Sequence, residues 1–426
     1  MNNYEYVLSD FNAIKHAKIA LNGITILAGE NGCGKSTLSR WLYYLVNTIN
    51  QYEDLIVSTF IRSKSFELSN IQRVMNIEFG VRPILNISEL NDIQDIETLS
   101  NVYHKIYSDF LDLAMSWIND PNILKSRKLR MASHLNIPYT DDINAFSTNI
   151  INYCNNKHDE FDKEVRLISI QRNKNTTNKL FKFISDNYDE NLSQTSEIQL
   201  YEEGTPLLEK EEFHYIYQLK RAIYVDTPMA LGHKDYRSRA WTNLQDMMIN
   251  EFKEKPEGAD RIIFNISRIT GGNFTVKSDF LINKEIHYKR RDGLDIELEK
   301  AATGLNAFAY LQLLLKNGYL DSETLLLIDE PEAHLHPQWI VEFARVLVTI
   351  HKKLGVNIMI ASHNPDMVSA ISSIAKKEEV EDKINFYLAV KENDSWQYSY
   401  KPLGTDISDI FRSFNIALSR IKEYGE

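Results

Sequence analysis

A chain of 426 residues is long enough to bury a large core, in two or three lobes. Hydrophobic residues at 43% and charged residues at 25% fit an ordinary globular protein, and no apolar run approaches the roughly 18–20 residues of a membrane span. The 48 basic against 59 acidic residues give a net charge of −11, which disfavours general binding to nucleic acid and confines any such contact to a local patch. The opening MNNYEYVLSDFNAIKH lacks the basic-then-apolar pattern of a secretory signal. Cys33 and Cys154 form no CxxC pair and no disulfide framework. A cytoplasmic protein without membrane contact is expected.

In chain order, Gly23–Ala28 (GITILA) is a compact apolar run of strand type. It ends in a glycine-rich turn, and Lys35–Val46 follows as an amphipathic helix. From about Arg82 to Leu219 the chain turns rich in Asn, Asp, Tyr and Lys with helical spacing of its apolar residues, as in Leu99–Ile118 and Asn178–Tyr188. Residues 82–220 therefore read as an inserted helical lobe, without the sustained heptads of a coiled-coil arm. Strand signals resume at Arg221–Val225 and across Asn273–Tyr288. Asn306–Lys316 reads as a helix, Thr324–Ile328 as a buried strand, Gln338–Lys353 as a helix and Val356–Ala361 as another buried strand. Ile384–Val390 and Gln397–Lys401 are strand-like, and Asp406–Tyr424 closes the chain as a helix. Alternating strands and helices in 1–81 and 221–426 predict a parallel α/β core divided by the insertion.

The strongest chemical signal is Gly29-Glu30-Asn31-Gly32-Cys33-Gly34-Lys35-Ser36, a full match to GxxxxGK[ST] between a buried strand and a helix, with Thr37 next in line. Its glycines let backbone N–H groups turn toward phosphate oxygens, and the helix N-terminus adds positive potential. Lys35 suits the β- and γ-phosphates of ATP, and the Ser36 hydroxyl suits Mg²⁺. The second signal is TLLLIDE at Thr324–Glu330. An apolar strand ending in two acids is costly unless the acids emerge where a cation waits. Asp329 suits a Mg²⁺ contact through water, and Glu330 suits deprotonation of an attacking water.

Two weaker signals set the subclass. Thr303-Gly304 opens a helix 25 residues before Asp329, and His363 ends a strand 34 residues after it. Alone, the first is a common helix-capping pattern and the second an ordinary surface histidine. Their joint order resembles the ABC ATPase superfamily: Walker A, signature, Walker B with its glutamate, then the switch histidine. The phrases LLLIDEPEAHLHPQW and IASHNPDM look like the SMC-related and OLD-like ATPases of bacterial defence and DNA repair. The resemblance covers about Asp10–Val46 and Gly293 through His363.

This resemblance implies a P-loop NTPase core of ABC type: an α/β fold with a mainly parallel sheet and an antiparallel β subdomain, interrupted by the helical insertion. It also implies a head-to-tail homodimer or larger homo-oligomer. In that arrangement Thr303 and Gly304 of one copy cap the γ-phosphate held by the other, and His363 contacts the same phosphate. The catalytic set is then Glu330, His363 and Lys35. In this family the turn holding His334 and His336 is a structural and dimer-contact loop, so neither is read as a metal ligand. The signature reads Ala302-Thr303-Gly304-Leu305 where the family more often has Ser-Gly and a polar residue, and the extra methyl implies slow turnover. Gln51 and Gln72 both remain candidates for the Q-loop glutamine.

Lys35 and Asp329 stand 294 residues apart, more than a compact ABC core needs, and the excess is the helical lobe. Its dense basic patch is Lys125–Arg130 (KSRKLR), read either as a local nucleic-acid contact or, preferably, as a solvated helix face; Lys234–Arg239 and Lys289–Arg291 present the same choice. Arg127 and His134 have the spacing of some HEPN ribonuclease motifs, a loose pattern that recurs by chance. Only 63 residues follow His363, too few for a TOPRIM nuclease of the OLD kind, and there is no zinc-hook CxxC. The resemblance is closest to stand-alone ATPase subunits of bacterial anti-phage systems such as Septu and PARIS, where the ATPase controls a separately encoded nuclease. The rival is a RecF- or SMC-type repair ATPase that clamps DNA directly; a transporter motor is disfavoured by the turn after Glu330.

Overall fold

The structure, a computed structural model, describes residues 3–82, 85, 89–90, 92–171, 175–191, 196–226, 239–278, 284–333, 335–393, 395–404 and 406–414. They form two compact units, 1–50 with 176–426, and 51–175.

The first unit is built on one sheet. Its strands are β1 (Tyr4–Phe11), β2 (Ile14–Ala20), β3 (Ile24–Ala28), β4 (Glu197–Glu202), β5 (Thr205–Leu208), β6 (Arg221–Val225), β10 (Thr324–Asp329), β11 (Asn357–Ser362), β12 (Ile384–Lys391) and β13 (Tyr398–Pro402). The ten run in the order β5-β4-β1-β2-β13-β12-β3-β11-β10-β6. From β12 to β6 every neighbour is parallel, with Ile24 opposite both Ile358 and Ile384. β1, β2, β4 and β5 pair antiparallel. A separate antiparallel sheet holds β7 (Gly272–Ser278), β8 (Lys284–Arg290) and β9 (Asp295–Glu297).

The apolar runs TLLLID and NIMIAS are buried at every position because both faces of the central strands are covered. On one face, Leu326, Ile328, Ile358 and Ile360 join a cluster with α7 (Arg239–Ile249), α8 (Ala259–Thr270), α9 (Thr303–Lys316), α10 (Pro337–Leu354) and α11 (Pro365–Lys377). The alternate residues Leu325, Leu327 and Met359 are equally buried on the other face, where α1 (Lys35–Asn50) packs on β6, β10 and β11. Asn47 of α1 locks that contact, donating to Ala222 O (2.9 Å) and accepting from Ala222 N (3.0 Å).

Phe308 of α9 is fully buried, its ring 5.5 Å from Trp339 and 5.4 Å from Phe343 of α10. Replacing it with alanine removes both edge contacts and leaves a cavity. Phe308→Ala is expected to destabilise the first unit by about 3–5 kcal/mol. A lowered urea midpoint with an unchanged slope would register it; an unchanged midpoint would contradict this account of the core.

The second unit is helical: α2 (Tyr52–Val74), a π-helical turn at Met75–Phe79, α3 (Ile96–Ile118), α4 (Lys125–Leu135) and α5 (Ile143–Gln171). Tyr103 stacks on Phe161 at 4.2 Å, and the Tyr103 and Tyr107 hydroxyls both donate to Glu67 (3.1 Å each). No described helix is long and apolar enough to cross a membrane.

Three features depart from the division into 1–81, 82–220 and 221–426. The helical unit begins at 51 rather than 82, because α2 packs on α3. The Asn178–Tyr188 segment is a helix, α6 (Thr177–Tyr188), but it packs against α1 of the first unit, with Phe181 against Trp41 and Tyr188 stacked on Tyr44 at 4.3 Å. β4 and β5 then extend the main sheet, β4 pairing with β1 from Tyr4 to Ser9. β4 alternates exposed and buried residues in the period of a strand, and its pairing with β1 decides its place. At the C-terminus, α12 is described over Ser408–Phe414, and the rest of the expected closing helix lies outside the described residues.

Candidate active site

The parallel strands β3, β10 and β11 end side by side, and their C-terminal ends carry the motif residues. After β3 the chain turns through 29–34 into α1. Gly32 and Gly34 have φ of +82° and +94°, a region that favours glycine. At Gly34 a Cβ would also lie 2.7 Å from Ile14 Cγ1, so the loop tolerates no side chain there. Cys33 is buried beneath the loop, its carbonyl accepting from the Tyr400 hydroxyl (3.1 Å). Lys35 Nζ donates to Gly29 O and Glu30 O (2.9 Å each), drawing the loop around its ammonium group. Glu30, Asn31, Gly32 and Ser36 are exposed and Thr37 is half-buried.

Asp329 ends β10 almost fully buried. Ser39 Oγ donates to its Oδ1 (2.8 Å) and the Tyr224 hydroxyl to its Oδ2 (2.8 Å), with Ser36 also bonded to it. Burial nonetheless pushes its carboxyl up to about 6; the three hydroxyls pull it down, and the nearby charge of Asp226 raises it again. A buried carboxylate so placed, with serine hydroxyls around it, is an oxygen donor set that a hard divalent cation fits.

The next residue leaves the strand abruptly. Glu330 has φ of +46°, sparsely populated for a non-glycine residue, and its N–H donates to Ala361 O (2.8 Å). Its carboxylate stands 3.5 Å from His363 Nδ1, and both side chains are partly open to solvent. Glu332, two residues on, is buried and accepts from Ser362 Oγ (2.7 Å) and His363 N (3.1 Å). Burial pushes its carboxyl up, against those bonds and the nearby imidazole.

The structure thus brings Lys35, Ser36 and Asp329 to one end of the sheet, with Glu330 and His363 side by side. Thr303 and Gly304 open α9, and among the described residues no hydrogen bond joins either to 29–37. Gln51 and Gln72 belong to the second unit. Ser39, Tyr224, Asp226 and Glu332 were not foreseen. Ser39 sits one helical turn after Lys35, a spacing that could have revealed it. Tyr224 and Asp226 required knowing that β6 lies beside β10.

The basic segment Lys125–Arg130 forms most of α4, and four of its cations are engaged within the second unit. Lys125 pairs with Asp141, Arg127 donates to Glu78 O, Lys128 to Ile118 O (2.6 Å), and Arg130 makes two bonds to the fully buried Glu78 (2.7 and 3.0 Å). His134 Nδ1 lies 3.5 Å from the same carboxylate. Arg127 is therefore held by the main-chain carbonyl of Glu78, Arg130 is bonded to its buried carboxylate and His134 faces it, so each cation of the segment has a partner within the second unit. In the first unit Arg290 pairs with Asp292. His336 caps α10, accepting from Gln338 N (3.4 Å). His334 and residues 234–238 lie outside the described residues. Among the described residues no three His, Cys, Asp or Glu gather as a metal site.

The AAA ATPase domain family matches residues 8–368, and the chain belongs to it. It is an ATPase with a nucleotide-binding P-loop. Among solved structures, the SMC head domain from Thermotoga maritima is 11% identical, covering 95% of this chain and 99% of its own, with a TM-score of 0.36. An SMC head bound to the C-terminal winged-helix domain of ScpA is 10% identical, covering 96% and 99%, with a TM-score of 0.41. The ATP-binding cassette of an ABC transporter in its ADP conformation is 10% identical, covering 97% and 98%, with a TM-score of 0.35. No curated protein sequence matches significantly.

Proposed function

We propose that the chain is an ABC-type ATP phosphohydrolase that works as a head-to-tail homodimer or larger homo-oligomer and controls a separately encoded effector nuclease in anti-phage defence. The observation that carries the composite site is the placement of Thr303-Gly304. α9 begins with Thr303 exposed, its N-cap Ala302 offers no side-chain acceptor, and its first N–H groups suit an anion. No hydrogen bond joins those groups to 29–37 among the described residues, and in the head-to-tail reading a second copy supplies the phosphate they cap. Within one copy, Lys35 and the loop N–H groups of 29–37 hold the β- and γ-phosphates. Ser36 and Asp329 would hold Mg²⁺, which would neutralise phosphate charge. Glu330 takes the proton of the attacking water, and His363 contacts the γ-phosphate.

The IDEPEAHLHPQW and IASHNPDM phrases resemble ATPases of both defence and DNA repair. The internal pairing of Lys125–Arg130 and the net charge of −11 weigh against the DNA-clamping alternative. The purified chain is therefore expected to hydrolyse ATP and to cut no nucleic acid. Plasmid, single-stranded DNA and tRNA incubated with Mg²⁺ or Mn²⁺, with and without ATP, provide the test. Cleavage that survives Lys35→Ala but disappears with Arg127→Ala or His134→Ala would make the second unit a nuclease and overturn the reading. In cells, immunity should require both a neighbouring gene product and an intact Glu330.

A further inference from the structure

The residues given catalytic roles beyond the phosphate loop all lie to one side of it. Asp329 and Glu330 end β10 and His363 follows β11, and both strands stand on the same side of β3 in the sheet. A γ-phosphate turned toward them sends the nucleoside the other way, toward β12, β13 and β2. β12 runs parallel to β3, β13 antiparallel to β12, and β2 parallel to β13. The β12–β13 turn and the β1–β2 turn therefore stand at the same end of the sheet as the loop. Direct contacts tie the three together. Ala389 of β12 fills the space beside Gly29, its Cβ 2.7 Å from where a Gly29 Cβ would lie, and the Tyr400 hydroxyl of β13 donates to Cys33 O (3.1 Å). Gln397 Nε2 donates to Asn12 O (3.3 Å) and Tyr398 N to Ala13 O (2.8 Å).

In the β12–β13 turn stands Trp396, 85% exposed although its ring is large and apolar. The turn is closed by its own bond, Glu392 N to Gln397 O (2.9 Å), so the ring is carried on a fixed hairpin. Lys391 Nζ lies 4.2 Å from the ring centroid, a cation–π contact that holds the indole. Trp396, Tyr398 and Tyr400 stand at alternate positions, running from the open indole to the phenol buried against Cys33. Burial and the nearby charge of Glu30 push the Tyr398 phenol up, which sets the middle ring beside the loop. We propose that Trp396 is the platform on which the base of the bound nucleotide stacks. The indole offers a flat apolar face that any purine can cover, so it adds affinity beyond what the phosphates supply. The proposal rests on the phosphate-loop reading and names the part of that site which holds the nucleoside.

The experiment has two arms. The first uses calorimetry with Mg²⁺ and the non-hydrolysable β,γ-imido analogue of ATP on the wild type, Trp396→Ala, Trp396→Phe and Lys35→Ala, with melting temperature as the check on folding. Trp396→Ala is expected to lose about fivefold to 150-fold in affinity, the range that removal of one base–aromatic stack produces. Trp396→Phe keeps a ring and should recover most of the loss. Inorganic tripolyphosphate carries the phosphates without a base, so the wild type and Trp396→Ala should bind it equally. Wild-type affinity for the analogue in Trp396→Ala, a phenylalanine variant no better than alanine, or an equal loss toward tripolyphosphate overturns the proposal.

The second arm reads the indole itself. The analogue is expected to quench part of the wild-type tryptophan emission, and that part should be missing with tripolyphosphate and in Trp396→Phe. An identical emission change in the wild type and Trp396→Phe overturns the proposal even if Trp396→Ala fails to fold. A Trp396→Ala that binds the analogue as the wild type does, yet elutes at a different mass, assigns the ring to a contact between copies and overturns it too. A wild type that binds neither analogue nor tripolyphosphate defeats the phosphate-loop reading and this proposal with it. Binding abolished by Lys35→Ala but indifferent to Trp396 leaves that reading standing and removes the proposal alone.

Discussion

Glu330→Gln is expected to bind ATP with near wild-type affinity and to lose on the order of 10²–10⁴-fold in turnover. The substitution is close to isosteric, so the Glu330 N–H bond to Ala361 O and the turn that follows remain. What disappears is the capacity to accept a proton. Asp329, Ser36 and Lys35 are untouched, so affinity for the phosphates has no reason to fall. The expected signature is a split between binding and chemistry: nucleotide-induced dimers that accumulate while phosphate release stops. Turnover at the wild-type rate would remove Glu330 from the catalytic set. Loss of ATP binding would instead point to a misfolded turn.

The second large effect is expected from mixing two dead chains. Lys35→Ala removes the ammonium group that bonds Gly29 O and Glu30 O, and with it the charge meant for the phosphates. Gly304→Asp places a carboxylate at the buried first turn of α9, where it would repel a phosphate approaching from another copy. Each variant alone should be inactive, because each defect falls in both composite sites of its homodimer. In a mixed dimer one site receives both defects and the other receives none, so activity should reappear from a background near zero. Absence of rescue, with mixed dimers demonstrated by differential tags, would defeat the head-to-tail arrangement. It would leave the single-chain geometry of Lys35, Asp329 and Glu330 unaffected.

The core and the phosphate loop were legible because their physics is local. A run such as TLLLID, buried on both faces, needs no partner to be recognised, and GENGCGKS carries its own turn geometry. The signals that failed depended on pairing across long stretches of chain. β4 carries a brief period-2 alternation, Ile198 and Leu200 facing inward, but six residues of it do not say that β1 is the partner. α6 has the same amphipathic character as the helices of the second unit, and only its packing on Trp41 and Tyr44 assigns it to the first. At the site, Asp329 and Glu330 could be read from their strand, whereas Tyr224 becomes part of it only through the β6–β10 register. Glu332 gave no signal, since a glutamate in a polar turn ordinarily faces water. The basic helix misled in the other direction: its charges look available in sequence but are spent on Glu78, Asp141 and a helix-end carbonyl.

The placement of β3 has a consequence for how the protein is made. Ile24 is hydrogen-bonded in register between Ile358 and Ile384, so the strand that launches the phosphate loop gains its nearer neighbour only 334 residues later. At ordinary synthesis rates of about 5–20 residues per second, roughly 20–70 s pass between the emergence of Ile24 and that of Ile358. During that interval an apolar five-residue strand has no partner on either edge, while 51–175 has been synthesised in full and holds its own buried aromatic core. The helical unit is therefore placed to fold while the ATPase half is still waiting for its centre. A ribosome stalled before β11 would release a chain with a folded helical unit and an unpaired ITILA strand, a species that chaperones or proteases must handle. The same topology prevents the nucleotide site from forming prematurely, because Asp329, Glu330 and His363 enter the structure only when the strands flanking β3 arrive.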